Sequence, residues 1–501
     1  MSSTEKPKAK RRKTSGKEFT KTLAFVAVAV LTLFIAVKTQ PVIESEEQLT
    51  GEDVGKPLFE KLTDPSMVTG LEVLSFDEEL GSLKPFEIEQ EREGEWVIPS
   101  KQRYPADAQD RVARAATMFI DLKVNRVVSE QDANHKTFGV VEPKYGTTKI
   151  GDEGIGTLFK VKGNSGDANE QLAELIIGKQ VKDLAGQYYV RRPGKSRVYQ
   201  VEIDPSQLST KFVDWIDTSL LPFTPQDIAS VIFRNYTTEV NATDNGNSLK
   251  LSVNYESEVS LDSAGQWKID DLREFRGGEL KPTAPAMGEI PNQQKLNLLL
   301  AAIDQLSIND VRKKAGAASG QLGFYSYQST EDQPPQLFAT QGELLVNTVQ
   351  GVQFRVLIGS LAEQDTNDLS AGTELNRYLH IVPQLYDAAF PMPELEELPS
   401  ENEERSENDR KLAVERITKA NKRKTDERDK LIAAAQKRVT ALNTRLEGWY
   451  FQIPENTVRK LRIPRNELLI LSQEALSKGF GIEAFRMLQE SFPRIEPKPE
   501  N

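Results

Sequence analysis

The sequence predicts an α+β fold: one transmembrane helix near the N-terminus, two tandem copies of an antiparallel-sheet-plus-helix unit, and a C-terminal helical region. Three observations carry this reading. Residues 22–37 (TLAFVAVAVLTLFIAV) hold no charge and lie between Lys21 and Lys38. A strand–helix–strand pattern over about residues 70–217 recurs over 228–382. From Asp409 to Leu446 the chain is dense in charge and has neither glycine nor proline.

The apolar run comes first. Sixteen helical residues span roughly 24 Å against a hydrocarbon core of about 30 Å. Phe19 and Thr20 extend the helix, and Lys21 and Lys38 can bury their stems and hold their charges outside. The run is apolar on all sides, which sets it apart from a helix with one buried stripe. Leu23, Phe25, Leu31, Phe34 and Ile35 are the expected lipid-facing anchors. Eight basic side chains stand against Glu5 and Glu18 in residues 1–21, and ESEEQLTGED follows the run. Lys10, Arg11, Arg12, Lys13 and Lys21 then orient the helix, with the N-terminus in the cytoplasm and the bulk of the chain outside. A cleaved signal peptide has the same charge order, but no Ala-x-Ala site follows the run. The expected location is a bacterial cytoplasmic membrane, crossed once.

Composition narrows the function. The 501 residues carry a net charge of −11, and the basic tail makes the remainder more acidic still. Nucleic acid is therefore not an expected partner, since phosphate binding needs clustered Lys and Arg. With no cysteine, disulfides, thiolate metal sites and cysteine nucleophiles are excluded.

The domain plan is a basic tail (1–21), a membrane helix (22–38), a stalk (39–68), two repeats (69–220 and 221–392), an acidic linker (393–408), a charged helix (409–447) and a C-terminal strand with helices (448–501). In the first repeat, Val73–Phe76 and Phe86–Glu91 read as strands, the latter by strict alternation. Glu95-Trp96-Val97-Ile98-Pro99 is a third strand. Tyr104-Pro105-Ala106-Asp107 opens a helix with Val112, Ala115, Ala116 and Phe119 on one face. Leu158–Val161, Ala173–Gly178, Tyr188–Arg192 and Val198–Val201 read as a run of antiparallel strands.

The second repeat follows the same course. Ile228–Phe233 takes the place of Leu71–Phe76, and Gln266-Trp267-Lys268-Ile269 that of the first W-x-I strand. The helix opened by Pro291 carries Leu296, Leu299, Leu300 and Ile303. Gln353–Gly359 matches Glu174–Gly178, and Arg377–Val382 matches Tyr188–Arg192. Both tryptophans read as core residues. In the charged helix, Leu412, Ile417, Leu431, Ala435, Val439, Leu442 and Leu446 make a stripe that polar residues interrupt. It fits either a solvated helix or a surface for a coiled-coil protein partner. Trp449–Pro454 reads as a strand.

The W-x-I-P strand, the Tyr-Pro-Ala-Asp helix start and the E-L-x-I-G, Y-Y-V-R-R and V-Y-Q-V strands resemble the family called domain of unknown function 4340. The likeness is clearest over about residues 70–220. It implies an extracytoplasmic accessory or scaffold protein accompanying an ABC-type permease of the gliding-motility or exopolysaccharide-export kind. It supplies no catalytic residues.

No chemical motif competes with that reading. His135 and His380 are the only histidines and lack metal-ligand spacing. Gly151-Asp-Glu-Gly154-Ile-Gly156 lacks a phosphate-loop ending. No nucleophile elbow occurs. Acid pairs at Asp77–Glu79 and Asp270–Asp271 are ordinary on an acidic surface. The expectation is a protein without catalytic residues, cofactor or metal. A standalone envelope module for polysaccharide or cell-wall polymer is the alternative, marked by exposed aromatics along one groove, and a hydrolase is the third.

Overall fold

Alternating apolar side chains build the first sheet. In β1 (Val68–Asp77), Leu71 and Val73 point into the main core, while Leu74 points to the opposite face. The computed structural model describes residues 53–91, 94–163, 170–243, 246–316, 319–328, 334–362, 375–399 and 406–477. β2 (Ser82–Gln90), β3 (Trp96–Ile98), β4 (Tyr104–Ala106), β5 (Arg126–Ser129), β6 (Thr157–Gly163), β7 (Glu170–Gln180), β8 (Gln187–Arg191) and β9 (Val198–Glu202) complete it. All pairs are antiparallel, in the order β4-β3-β2-β1-β6-β7-β8-β9-β5. The helix α1 (Gln109–Ile120) buries Val112, Ala115, Ala116 and Phe119 against it. The next helix, α2 (His135–Phe138), is a single turn closed by Gly139.

The second sheet repeats this order strand for strand. It holds β10 (Ile228–Thr243), β11 (Gly246–Leu261), β12 (Trp267–Arg276), β13 (Glu279–Pro282), β15 (Asp310–Lys313), β18 (Glu343–Thr348), β19 (Val352–Leu361), β20 (Asn376–Leu385) and β21 (Trp449–Pro454). Their order is β13-β12-β11-β10-β18-β19-β20-β21-β15. Replacing β1–β4 by β10–β13, β6–β9 by β18–β21 and β5 by β15 converts one order into the other. The helix α3 (Gln293–Asp304) stands where α1 does, its first turn capped by the Asn292 side chain on Lys295 N. Two short pairs lie outside the sheets: β14 (Glu289–Pro291) with β22 (Leu469–Leu471), and β16 (Phe324–Tyr327) with β17 (Gln336–Ala339). Trp96 and Trp267 are both buried, as core residues should be.

The copies differ most in the connection between the two strands that precede the last position of each sheet order. β8 and β9 are joined by residues 192–197, whereas the equivalent β20 and β21 are joined by residues 386–448. That insertion contains α4 (Glu407–Leu446), a 40-residue helix whose N-cap Ser406 accepts from Asp409 N. Its buried residues are Ile417, Ala435, Val439 and Leu446. Farther up, the segment 390–398 runs beside it. Asn421 Nδ2 donates to Glu396 O at 2.8 Å, and Arg428 Nε donates to Phe390 O at 3.0 Å. The stripe read in the sequence thus spends its last turns on the second sheet, while Leu412 and Leu431 stay exposed.

These findings correct the expected fold class. The body is two large antiparallel sheets with helices packed on them, and no helix among the described residues is long and apolar enough to cross a membrane. The longest, α4, carries charge along its whole length. The apolar run 22–37 with Leu23, Phe25, Leu31, Phe34 and Ile35, and the basic Lys10, Arg11, Arg12, Lys13 and Lys21, lie outside the described residues. The C-terminal region is not a separate helical unit either. β21 hydrogen-bonds between β20 and β15, filling a place that would otherwise leave two unpaired sheet edges. After it come α5 (Glu455–Leu461), α6 (Arg465–Leu468) and α7 (Gln473–Ser477).

Smaller differences have local causes. Tyr104–Ala106 is a strand on β3, so α1 starts only at Gln109. The segment from Asp53, expected as stalk, packs on the first repeat: Leu58, Phe59 and Leu62 are core residues, and Leu58 N donates to Leu122 O at 2.9 Å.

The two copies share one core. Tyr104 of β4 meets the Trp449 ring edge-on at 4.8 Å between centroids. Lys101 pairs with Asp310 at 2.8 Å, and Arg445 with Asp217 at 2.9 Å. Gln102, in the left-handed region at φ 56°, accepts Lys313 N at 2.6 Å.

Candidate functional site

The segment Val458-Arg-Lys-Leu-Arg-Ile-Pro-Arg465 divides its side chains between two surroundings. Val458, Leu461 and Ile463 are buried against the second repeat. Arg459, Arg462 and Arg465, three residues apart, border an open groove. The opposite wall comes from the second sheet. There the Tyr255 hydroxyl donates to Ile463 O, tying the segment to β11.

A β-bulge shapes the floor. Asn235 pairs with Tyr255 and Tyr236 with Val253, so Asn254 is an extra residue on β11. Such an insertion re-aims a side chain. Here Asn254 Nδ2 donates to Asn235 Oδ1 at 2.8 Å, and both amides line the groove. Two lobes, of about 570 and 360 Å³, share Asn235, Asn254 and Pro464.

The larger lobe is electrically balanced. Arg465 donates to Glu274 at 2.8 Å and grips both oxygens of Glu289, the second at 2.8 Å. That hydrogen bond holds the Glu289 carboxyl below its usual value. Burial pushes Glu274 up, but Arg276 and Arg465 outweigh it and bring its carboxyl down. Phe275, about half exposed, forms one edge of this lobe.

The smaller lobe is not balanced. Buried Arg377 forks onto Glu455, and Arg459 Nε adds a third bond to Glu455 at 3.2 Å. Burial raises the Glu455 carboxyl; the bond and charge of Arg377 then carry it below the ordinary range. Both Glu455 oxygens are thereby used. Arg462 is left over: its Nε is buried with no hydrogen-bond partner, and among the described residues it forms no ion pair. Burial, reinforced by repulsion from Arg377, outweighs the attraction of Glu455 and Tyr255 and lowers the Arg462 pKa. Three guanidiniums face one carboxylate here, in a chain of net charge −11.

The residues singled out in the sequence lie elsewhere. His380 is wholly buried in β20. Its Nδ1–H donates to Trp449 O at 3.0 Å, and its Nε2 accepts Lys314 Nζ at 3.3 Å. The tautomer is assigned from these partners. Desolvation, with Lys314 beside it, pushes its pKa down to about 4. His135 lies in the first repeat, a ring nitrogen 2.8 Å from Ser196 O. Gly151–Gly156 forms turns ahead of β6. The acid pairs serve local structure: Asp77 accepts Leu80 N in the β1–β2 turn, and Asp271 pairs with Arg273 at 2.8 Å. Among the described residues, no cluster of three or more His, Asp or Glu is placed to hold a metal ion.

Sequence reasoning passed over the groove because its residues come from five separate segments. The available signal was the run of four basic residues in Arg459–Arg465, set in an acidic chain.

Fold and groove together define a duplicated antiparallel-sheet protein with a charged surface cleft and a helical insertion in its second copy. Residues 96–322 match the family model described as Domain of unknown function (DUF4340), the family that the strand motifs resemble. The matched span opens at β3 and ends at Leu322, so it crosses from the first repeat into the front half of the second. No curated protein and no solved structure matches the chain.

Proposed function

We propose that this protein is a non-catalytic accessory or scaffold protein of the bacterial envelope, working at the outer face of the cytoplasmic membrane beside an ABC-type permease. The observation that carries the reading is the state of the groove's charges. Glu274, Glu289 and Glu455 are held ionised by arginine partners. General acid–base work calls for a group poised near neutral pH. Fixed ion pairs suit binding instead. The fused sheets, sharing one core, suit a rigid body that presents surfaces. The envelope setting rests on the basic-then-apolar order of residues 1–38, and the permease on the family resemblance.

The test is crosslinking of intact cells with a membrane-impermeant reagent, followed by mild-detergent purification. The expected result is labelled protein recovered with an ABC-type permease. Unlabelled protein, or labelled protein recovered alone at native abundance, would overturn the reading. The second reading, an envelope module for an acidic polymer, is favoured by the unmatched Arg462.

A further inference from the structure

The geometry points to the groove between β10–β12 and residues 455–465 as a binding site for an acidic saccharide, with Arg462 receiving the sugar carboxylate. The assignment rests on the binding role proposed above and names its ligand.

Arg462 supplies the charge argument. A half-buried guanidinium whose Nε is sealed without a partner is costly, since that donor has given up its water and gained no protein hydrogen bond in return. Glu455 attracts it but makes no hydrogen bond to it, its bonds going to Arg377 and Arg459. The guanidinium is only half-buried and lines the smaller lobe, so an anion there would pair with its accessible end, and a planar carboxylate matches that fork.

The rest of the groove argues for a sugar over a bare anion. The floor is neutral and amide-lined. The Asn254–Asn235 bond leaves Asn235 Nδ2 as a donor and Asn254 Oδ1 as an acceptor, the pair of functions that hydroxyl groups use. Phe275 offers an exposed ring in the larger lobe, which suits the apolar face of a pyranose. The lobes are contiguous and open, so a chain can lie along them without its ends being buried.

The test titrates the full chain with a galacturonate oligomer, a neutral mannose oligomer and inorganic phosphate, by calorimetry. The galacturonate oligomer is expected to bind, and the neutral oligomer to bind at least tenfold more weakly. Arg462→Gln is expected to weaken galacturonate binding at least tenfold while raising the melting temperature of the unliganded protein, because it removes a part-buried charge that no hydrogen bond or ion pair among the described residues satisfies. Phe275→Ala is expected to weaken binding several-fold with unchanged melting. Equal affinity for phosphate and the galacturonate oligomer would overturn the saccharide assignment. A lowered melting temperature in Arg462→Gln would overturn the role of Arg462, marking it as structural. Absence of galacturonate binding, with permease recovery intact, would sink the ligand and leave the accessory role standing.

Discussion

At the scale of single residues, the second repeat holds two polar groups whose burial sets its behaviour. Arg377 is buried and depends on Glu455. Removing one partner of a buried pair strands the other charge, at a cost of about 3–5 kcal/mol. Glu455→Gln should therefore lower the denaturant midpoint strongly, and Arg459→Gln, at the exposed end of the same network, should barely move it. Equal losses would refute this ranking. His380 predicts a pH dependence. Its folded value of about 4 lies below the ordinary 6.5, so the fold keeps it neutral while the unfolded chain takes up the proton. Its contribution is complete above pH 6.5 and is lost as pH falls toward 4, an effect of about 3 kcal/mol. In His380→Gln the stability curve should flatten across that window. A curve as steep as the parent's would exclude His380 as the source.

At the scale of elements, α4 is two helices in one. Toward its C-terminal end, Ala435, Val439 and Leu446 are buried on the second sheet. Its first turns have exposed Leu412, and at its middle the Phe390–Leu398 segment is held mainly by backbone-directed bonds from Asn421, Lys424 and Arg428. Charged helices gain little stability from propensity alone, so the packed end should carry the rest. Leu446→Ala should cost about 2–5 kcal/mol, and Leu412→Ala almost nothing, in thermal melts. If Leu412→Ala destabilised the monomer comparably, the first turns would be packed in a way this structure does not show. The sequence marked this helix nearly to its ends, because glycine and proline are absent from Asp409 to Leu446; the Ser406 cap is seen only in the structure. Which side of the stripe meets the sheet was not legible, since Leu412 and Leu446 are alike as letters.

At the scale of the whole molecule, two nine-stranded sheets of the same order are joined through one hydrophobic core. Tyr104 of the first copy is buried between Phe212 of its own copy and Trp449 in β21 of the second. The ring carries a hydroxyl that burial pushes up to about 12. Calorimetry should therefore show one unfolding transition for the described body. Tyr104→Ala should lower it by about 3–5 kcal/mol and begin to separate the copies. Two independent transitions in the parent protein would show that the shared core does not couple them.

The sequence by itself determined the duplication. Alternation of apolar residues, the two W-x-I strands and the apolar-faced helices are local patterns that each strand or helix must satisfy on its own. It also determined the limits set by composition: an acidic chain without cysteine. Only the tertiary structure decided that Trp449–Pro454, read as part of a C-terminal region, closes the second sheet, because strand pairing is made between partners 60 or more residues apart. It alone brought Asn235, Glu274, Arg377 and Arg462 to one groove. Charge balance is a property of neighbours in space, so the arginine left without a partner is invisible until the chain has folded around it.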